Sequence, residues 1–196
     1  MKKFFSYFKN PLMWYIVYVR KRKGATMTFQ IEKKDILDYD VDAIVNAANK
    51  ELRPGGGVCG QIFSHADDKE LEEECKRLAP IEPGQAVVTK GYKLRAKNII
   101  HAVGPIYFDG KQGEKEVLQR AYKSALDLAV ENNFKSLVFP LLSSGIYGYP
   151  LEEAAEVAVY TIRDFLENHD LDVTISVLND KFLNVLKEKN KDWMEK

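Results

Sequence analysis

Two kinds of hydrophobic pattern alternate along the chain and predict its elements. Short, largely apolar runs are typical of buried strands; they occupy residues 29–31, 43–45, 85–89, 98–103, 137–142 and 173–178. Segments of helical character separate them, at residues 58–66, 71–78, 117–131, 151–166 and 181–188. Strands that alternate with helices predict an α/β fold of three layers, αβα, in which helices cover both faces of a mixed, mostly parallel sheet.

Two of the predicted strands run into loops of glycine and small polar residues. Residues 43–45 lead into the amides of 46–49 and then into three adjacent glycines, 55–57, ahead of a helix. Residues 137–142 lead into 143–150, which also precede a helix. Adjacent glycines are costly to order, and they indicate backbone N–H groups that approach a ligand closely, as phosphates at helix N-termini require. A plain surface loop is the alternative for either one alone.

The two loops together predict one ligand crevice. Carboxyl ends of parallel strands meet at one edge of an open α/β sheet, where ligands usually bind. Asparagine side chains offer a donor and an acceptor and suit sugar hydroxyls. Neither loop fits the P-loop or the dinucleotide-binding fingerprint. The combination indicates a nucleotide-sugar ligand.

The charge distribution excludes one class of partner. The chain carries 29 basic and 29 acidic residues, but residues 1–26 contain seven Lys/Arg and no acid. The remainder therefore has a net charge of about −7, opposite to the bias of a nucleic-acid binder. An anionic ligand must be held by local backbone dipoles. Two cysteines and three histidines give neither a disulfide framework nor a zinc spacing, so we expect no metal, no cofactor and a cytoplasmic location.

Residues 1–26 form a basic, aromatic leader, and we place the domain at residues 27–196. The apolar run at 12–19 is far shorter than the roughly 20 residues that span a bilayer. Residues 20–23 are all basic where a signal peptide would have its cleavage site. Three interpretations stay open: a disordered segment, a weak interfacial membrane anchor, or translated sequence upstream of a start at Met27, where a strand pattern opens directly.

The motifs resemble those of a macrodomain, in the right order over roughly residues 27–190. The resemblance rests on residues 41–49, 55–58, 100–105 and 144–150. Macrodomains bind ADP-ribose, and many hydrolyse ADP-ribose linkages. The resemblance implies ADP-ribose or an ADP-ribosylated protein as partner. We expect a monomer that binds neither nucleic acid nor membrane.

The resemblance also implies residue roles. An acid after the first strand, here Asp35, would meet the adenine amino group, and Asn49 would meet the distal ribose. Tyr147 would lie over that ribose, although the adjacent Tyr149 could serve equally. The implied ligand contacts are Asp35, Ile36, Asn49, Gly55, Gly56, Gly57, Val58, Ser143, Ser144, Gly145, Ile146, Tyr147 and Gly148. The aromatic residue that stacks on adenine is expected near Asn179, Asp180 or Phe182, and the buried His101 is expected to be a core residue.

Cys59 departs from the pattern of the family's hydrolases. In the subgroup with the clearest acid–base chemistry, an aspartate lies ten residues after the second asparagine of the N-A-A-N motif; here that position is Cys59. A neutral thiol cannot polarise water as a carboxylate does, although a helix N-terminus could lower its pKa. Asn49 and Tyr147 remain the catalytic candidates. The leading hypothesis is a hydrolase of mono-ADP-ribose esters, and the alternative is a non-catalytic reader of ADP-ribose. We also expect Gly56→Val to weaken binding by closing the approach and straining φ.

Overall fold

The structure, a computed structural model, describes residues 4–6, 17–22, 25–66 and 68–195. Its strands are β1 (Phe4–Ser6), β2 (Val17–Arg22), β3 (Ala25–Lys33), β4 (Ala43–Ala47), β5 (Ala86–Lys90), β6 (Asn98–Ala102), β7 (Ser136–Phe139) and β8 (Asp172–Val177). Its helices are α1 (Gly57–His65), α2 (Asp68–Leu78), α3 (Glu114–Glu131), α4 (Leu151–Leu166) and α5 (Asp180–Glu195).

The described strands form one sheet in the order β1-β2-β3-β8-β7-β4-β6-β5. The five central strands, from β3 to β6, are mutually parallel, while β1, β2 and β5 pair antiparallel with their neighbours. The predicted mixed, mostly parallel sheet is confirmed. Because β3, β8, β7, β4 and β6 run the same way, their carboxyl ends share one edge of the sheet.

Part of the leader extends this sheet. β1 and β2 lie antiparallel at the β3 edge, and β2 pairs with β3 from Tyr18 opposite Phe29 to Arg22 opposite Ala25. No strand is predicted there from the sequence. Residues 1–3, 7–16 and 23–24 lie outside the described residues, and the domain boundary at residue 27 stays a prediction.

The hydrophobic core has two halves, one on each face of the sheet. On β4, Ala43 and Val45 pack with α3 and α4, whereas Ile44 between them packs with α1 and α2. Alternate residues of a strand point to opposite faces, and both faces are covered, so the strand is apolar throughout. The prediction of three layers is confirmed. The short apolar runs in the sequence are explained by strands that are buried on both faces.

Candidate functional site

A cleft of about 690 Å³ runs along the shared carboxyl edge of the parallel strands. It is lined by the loops after β3, β4, β6, β7 and β8. Every predicted ligand contact lines it except Gly148. Gly148 lies outside this lining; its φ of +68° and its N–H bond to the Gly145 carbonyl (2.9 Å) close the turn after β7. The two glycine loops therefore form one crevice, as predicted.

The strand order gives the cleft two ends. The β3–β8 end is formed by the loops after those strands and contains Asp35, Ile36 and Phe182. The β4–β6 end contains Asn49, Cys59 and, after β6, Gly104. The loop after β7 lies between them.

At the β4–β6 end, the amide of Asn49 is held by a backbone pair. Its Nδ2 donates to the Arg53 carbonyl at 2.6 Å, and the Arg53 N–H donates to its Oδ1 at 3.1 Å. A Cβ built on Gly55 would lie 3.6 Å from Asn49 Nδ2 and 3.7 Å from Cys59 Sγ, so these side chains are neighbours. Two bonds to one residue fix the orientation of the amide while leaving one of its N–H hydrogens for another acceptor.

Cys59 is buried, and its thiol is neutral at pH 7. Burial raises the pKa of the Cys59 thiol, although N–H donors from the Asn46 side chain and the Gly55 backbone oppose that shift. The Sγ atom accepts from Asn46 Nδ2 and donates to the Arg53 carbonyl, each at 3.6 Å. The N-terminus of α1 therefore does not activate the thiol, because the net effect of the surroundings is to raise the pKa of Cys59.

A chain of buried polar side chains continues beneath Cys59. Asn46 Nδ2 lies 3.1 Å from His101 Nδ1, and His101 Nε2 lies 2.8 Å from Thr89 Oγ1. Because Thr89 Oγ1 donates to the Lys90 carbonyl, we assign the ring proton to Nε2 and the acceptor role to Nδ1. Burial lowers the pKa of His101 to about 3, so the ring is neutral. His101 is a core residue, as predicted, and does not line the cleft.

Within the glycine loop after β4, the left-handed backbone falls at Gly57 rather than at Gly56. Gly56 has φ −84°, which any residue adopts, so the expected φ strain at Gly56 is wrong. Gly57 has φ +61° and carries the left-handed conformation. A Cβ on Gly60 would lie 2.3 Å from the Gly55 carbonyl oxygen, so the first turn of α1 packs directly on the loop.

The two glycine loops approach each other across the cleft. A Cβ on Gly56 would come within 2.7 Å of Ile146 Cδ1, the tip of an exposed side chain in the loop after β7. Of the two tyrosines in that loop, Tyr147 lines the cleft, whereas Tyr149 is buried edge-on against the Tyr107 ring, 4.9 Å between centroids. Of the two tyrosines left open by the sequence, Tyr147 is therefore the one that lines the cleft.

The β3–β8 end is built from two local turns. Asp35 Oδ1 accepts the N–H of Leu37 at 3.0 Å and begins a 3-10 turn, Ile36–Asp38. Asn179 Oδ1 accepts the N–H of Phe182 at 2.9 Å at the start of α5. That cap brings Phe182 to the cleft, and the stacking of an aromatic residue on adenine stays a prediction.

Several lining residues were not predicted from the sequence, namely Ala47, Ala48, Gln61, Gly104, Pro140, Leu141, Leu142, Ser176, Val177 and Leu178. Gly104 carried a usable signal, because it follows a predicted strand as the other glycine loops do. Its close approach explains the glycine: a Cβ there would lie 2.2 Å from Ser143 Oγ. Within the described ranges, no helix is long and apolar enough to cross a membrane, and no group of three or more metal-ligating side chains is gathered.

The fold and site together define a three-layer α/β domain with a ligand cleft between two glycine loops. The Macro domain family model matches residues 45–158. The chain is 45% identical over 150 residues to an O-acetyl-ADP-ribose deacetylase of Salmonella typhimurium, which covers 74% of this chain and 83% of the relative. The chain belongs to the Macro domain family.

Solved structures agree with this assignment. An Oceanobacillus iheyensis macrodomain with MES bound has a TM-score of 0.81 and 31% identity, over 92% of this chain and 98% of that one. A Trypanosoma brucei macrodomain in complex with ADP-ribose has a TM-score of 0.74 and 33% identity, over 82% and 68%.

The positions substituted in variants of the Oceanobacillus macrodomain have a spacing in sequence that also occurs in this chain. They replace an asparagine, a glycine seven residues later and an aspartate three residues after that, and the glycine-to-valine variant was solved with ADP-ribose. Asn49, Gly56 and Cys59 have the same spacing here. At that spacing the third position is an aspartate in the solved protein and a cysteine in this chain.

Proposed function

We propose that the protein binds ADP-ribose in the cleft and hydrolyses mono-ADP-ribose esters, releasing ADP-ribose. The substrates are ADP-ribosylated protein carboxylates or O-acetyl-ADP-ribose. The observation that carries the proposal is the fixed amide of Asn49, which lies at one end of a cleft bracketed by two glycine loops. The name of the Salmonella relative, at 45% identity, supports the ester as substrate.

The cleft suits a ligand with a base at one end and a sugar at the other. The N-terminus of α1 and the loop after β7 present backbone N–H groups in the middle, where a diphosphate would lie. At the β3–β8 end, Asp35 offers an acceptor for the adenine amino group and Phe182 offers an aromatic face. All of these residues lie within 27–196, which we propose as the binding unit, monomeric and cytoplasmic.

For the reaction, the neutral state of Cys59 excludes the thiol as general base. We assign the activation of water to the diphosphate of the ligand. Asn49 positions the distal ribose and that water, with Tyr147 covering the sugar. The water oxygen attacks the anomeric carbon, the bond from that carbon to the ester oxygen breaks, and the carboxylate leaves; the water proton passes to solvent through the phosphate. Attack at the ester carbonyl gives the same products.

The alternative is a reader that binds ADP-ribose without turnover, and Cys59 is the observation that favours it. Incubating the purified protein with O-acetyl-ADP-ribose, and separately with a glutamate-ADP-ribosylated protein, and following free ADP-ribose separates the two. Release that depends on the protein supports the hydrolase. Tight calorimetric binding of ADP-ribose with no release supports the reader. Equal affinity for adenosine and ADP-ribose would contradict both, because the glycine loops contribute little without a diphosphate.

A further inference from the structure

Among the residues whose side chains the structure describes, large apolar side chains are exposed mainly at one edge of the sheet. Among the described residues, four exceed 60% exposure: Ile106 (70%), Phe108 (80%), Ile146 (81%) and Leu178 (63%). All four lie on loops after β6, β7 and β8, at the carboxyl edge that carries the cleft. The other two exposed large apolar residues, Leu78 (37%) and Val130 (38%), lie near the ends of α2 and α3. Scattered apolar residues need no explanation, but a concentration around a cleft does.

Two of the four lie beside the cleft rather than in it. Ile146 and Leu178 line the cleft, whereas Ile106 and Phe108 do not. We call Ile106 and Phe108 the apolar rim. The rim belongs to the loop between β6 and α3, and β6 is the strand next to β4, so it adjoins the β4–β6 end. Tyr107, between the two rim residues, donates its N–H to the Tyr147 carbonyl at 2.8 Å and so joins the rim to the cleft.

The position of Phe108 in the rim is fixed by a buried carboxylate. Glu114 Oε1 accepts the N–H groups of Phe108, Asp109 and Gly110 at 3.2 Å each, and Oε2 accepts that of Gln112 at 2.7 Å. Removal from water alone would raise the pKa of the Glu114 carboxyl, but backbone N–H donors, first that of Glu114 itself and then those of Gln112, Phe108 and Asp109, outweigh it and lower the pKa to about 2. Because four backbone groups are bound to one buried charge, the Phe108 side chain is held outward.

We propose that the apolar rim binds the polypeptide on either side of an ADP-ribosylated carboxylate side chain, through an apolar residue next to the modified position. The inference rests on the proposed function. Free ADP-ribose and its acetyl ester have no group that extends far beyond the distal ribose. A modified protein continues outward from the β4–β6 end, where the rim lies. Residues 27–196, with a net charge of about −7, attract an acidic segment poorly, and apolar contact supplies affinity without charge.

The test compares one ligand with and without its polypeptide. The probes are free ADP-ribose and a peptide that carries ADP-ribose on one side chain through a stable amide linkage, with leucine next to it. Wild type should bind the peptide more tightly than ADP-ribose. The double variant Ile106→Ser/Phe108→Ser should bind the peptide about tenfold more weakly, since a few buried anchors carry most of the binding energy of an interface. Its dissociation constant for ADP-ribose and its turnover of O-acetyl-ADP-ribose should not change. Leu78→Ser/Val130→Ser is the matched control and should change none of these.

Other results would overturn the rim proposal. Equal affinity of wild type for the two probes, or an unchanged peptide affinity in the rim variant, would show that the rim does not contact polypeptide. A rim variant that loses both probes equally would show a structural defect in the cleft. A rim variant that only converts a dimer to a monomer in sedimentation would make the rim a self-association surface. Failure of wild type to bind free ADP-ribose would instead refute the proposed function.

Discussion

The two ends of the cleft are built in different ways. At the β3–β8 end, Asp35 and Asn179 each accept an N–H two or three residues ahead, so each side chain is set by its own turn. At the β4–β6 end, Cys59 and His101 are joined through Asn46 across 55 residues of sequence. Substitutions at the first end should act locally and add, whereas those at the second should propagate along the chain of contacts.

The difference separates recognition from chemistry in the proposed function. A base can be held by one carboxylate and one aromatic face, and small displacements change affinity modestly. A reacting sugar and water need fixed partners, because misplacement of about 1 Å can cost roughly a hundredfold in rate. Variants at the two ends should therefore differ in which constant they change.

The largest effect is expected from Asn49→Ala. The change removes an amide that two bonds to Arg53 hold in place. We expect kcat for ester hydrolysis to fall about a hundredfold, with the dissociation constant for ADP-ribose changed only a few-fold. Steady-state kinetics measures kcat, and calorimetry measures the dissociation constant for ADP-ribose. Arg53→Ala keeps the backbone partner and is the control. Equal losses in affinity and kcat would place Asn49 in binding alone.

Cys59→Asp should raise kcat by about tenfold or more. A carboxylate there would stand in the first turn of α1, where the helix dipole favours negative charge, and positioned bases contribute roughly 10²–10⁴-fold. Cys59→Asn introduces a side chain of the same size as aspartate that cannot act as a base, so it should not raise the rate. Cys59→Ala should leave the wild-type rate nearly unchanged, because the thiol is neutral. Abolished turnover in Cys59→Ala, with ADP-ribose binding kept, would restore a thiolate role.

Acid should destabilise the β4–β6 end through His101. Burial lowers the pKa of His101 to about 3 from an ordinary 6.5, so below pH 6.5 the unfolded chain binds a proton that the folded protein refuses. Stability is therefore lost as the pH falls from 6.5 towards 3, by about 2 kcal/mol between pH 7 and pH 5. Denaturant unfolding of His101→Gln should show a pH dependence smaller by that amount. Thr89→Ser keeps the hydroxyl partner and should behave as wild type. An unchanged pH dependence in His101→Gln would place the titration elsewhere.

A smaller effect is expected at the opposite end, from Asp35→Asn. The variant keeps an acceptor for the Leu37 N–H but replaces a carboxylate oxygen facing the cleft by a donor. A hydrogen bond to a charged group contributes about 1.5–3 kcal/mol, so the dissociation constant for ADP-ribose should rise by at least about tenfold while kcat at saturation stays the same. Calorimetry with ADP, which lacks the distal ribose, should show the same loss. A fall in kcat without a change in affinity would contradict the division between the ends.

The smallest effect is expected at the point where the two loops approach. Gly56→Val places its Cβ against the tip of Ile146, which is exposed and can move, and φ is not strained. We expect ADP-ribose binding to weaken only a few-fold, and the double variant with Ile146→Ala to recover wild-type affinity. Loss of binding in the double variant as well would mean that the Gly56 backbone itself had moved.

Local patterns predicted the scaffold better than the contacts within it. Residues 137–142 were expected to form one strand, yet β7 ends at Phe139, since Leu141 and Leu142 are buried in the loop that lines the cleft. Phe182 could not be placed, because its direction depends on the Asn179 cap and the start of α5. The partnership of Asn46 with His101 depends on the parallel register of β4 and β6, which no local pattern specifies. β1 and β2 were missed for a different reason: they pair with their neighbours in sequence, but residues 1–26 were set apart as a leader outside the domain.

The binding of four backbone N–H groups by the Glu114 carboxylate affects how quickly a partner can be recognised. A loop that orders only when a partner arrives slows association and adds an entropic cost to each encounter. Four backbone N–H groups bound to one buried charge order the segment from Phe108 to Gln112 when the domain folds. A partner that meets this surface finds its conformation already set, so its association rate should be governed by diffusion and orientation, and selectivity among partners should be expressed in how quickly they leave.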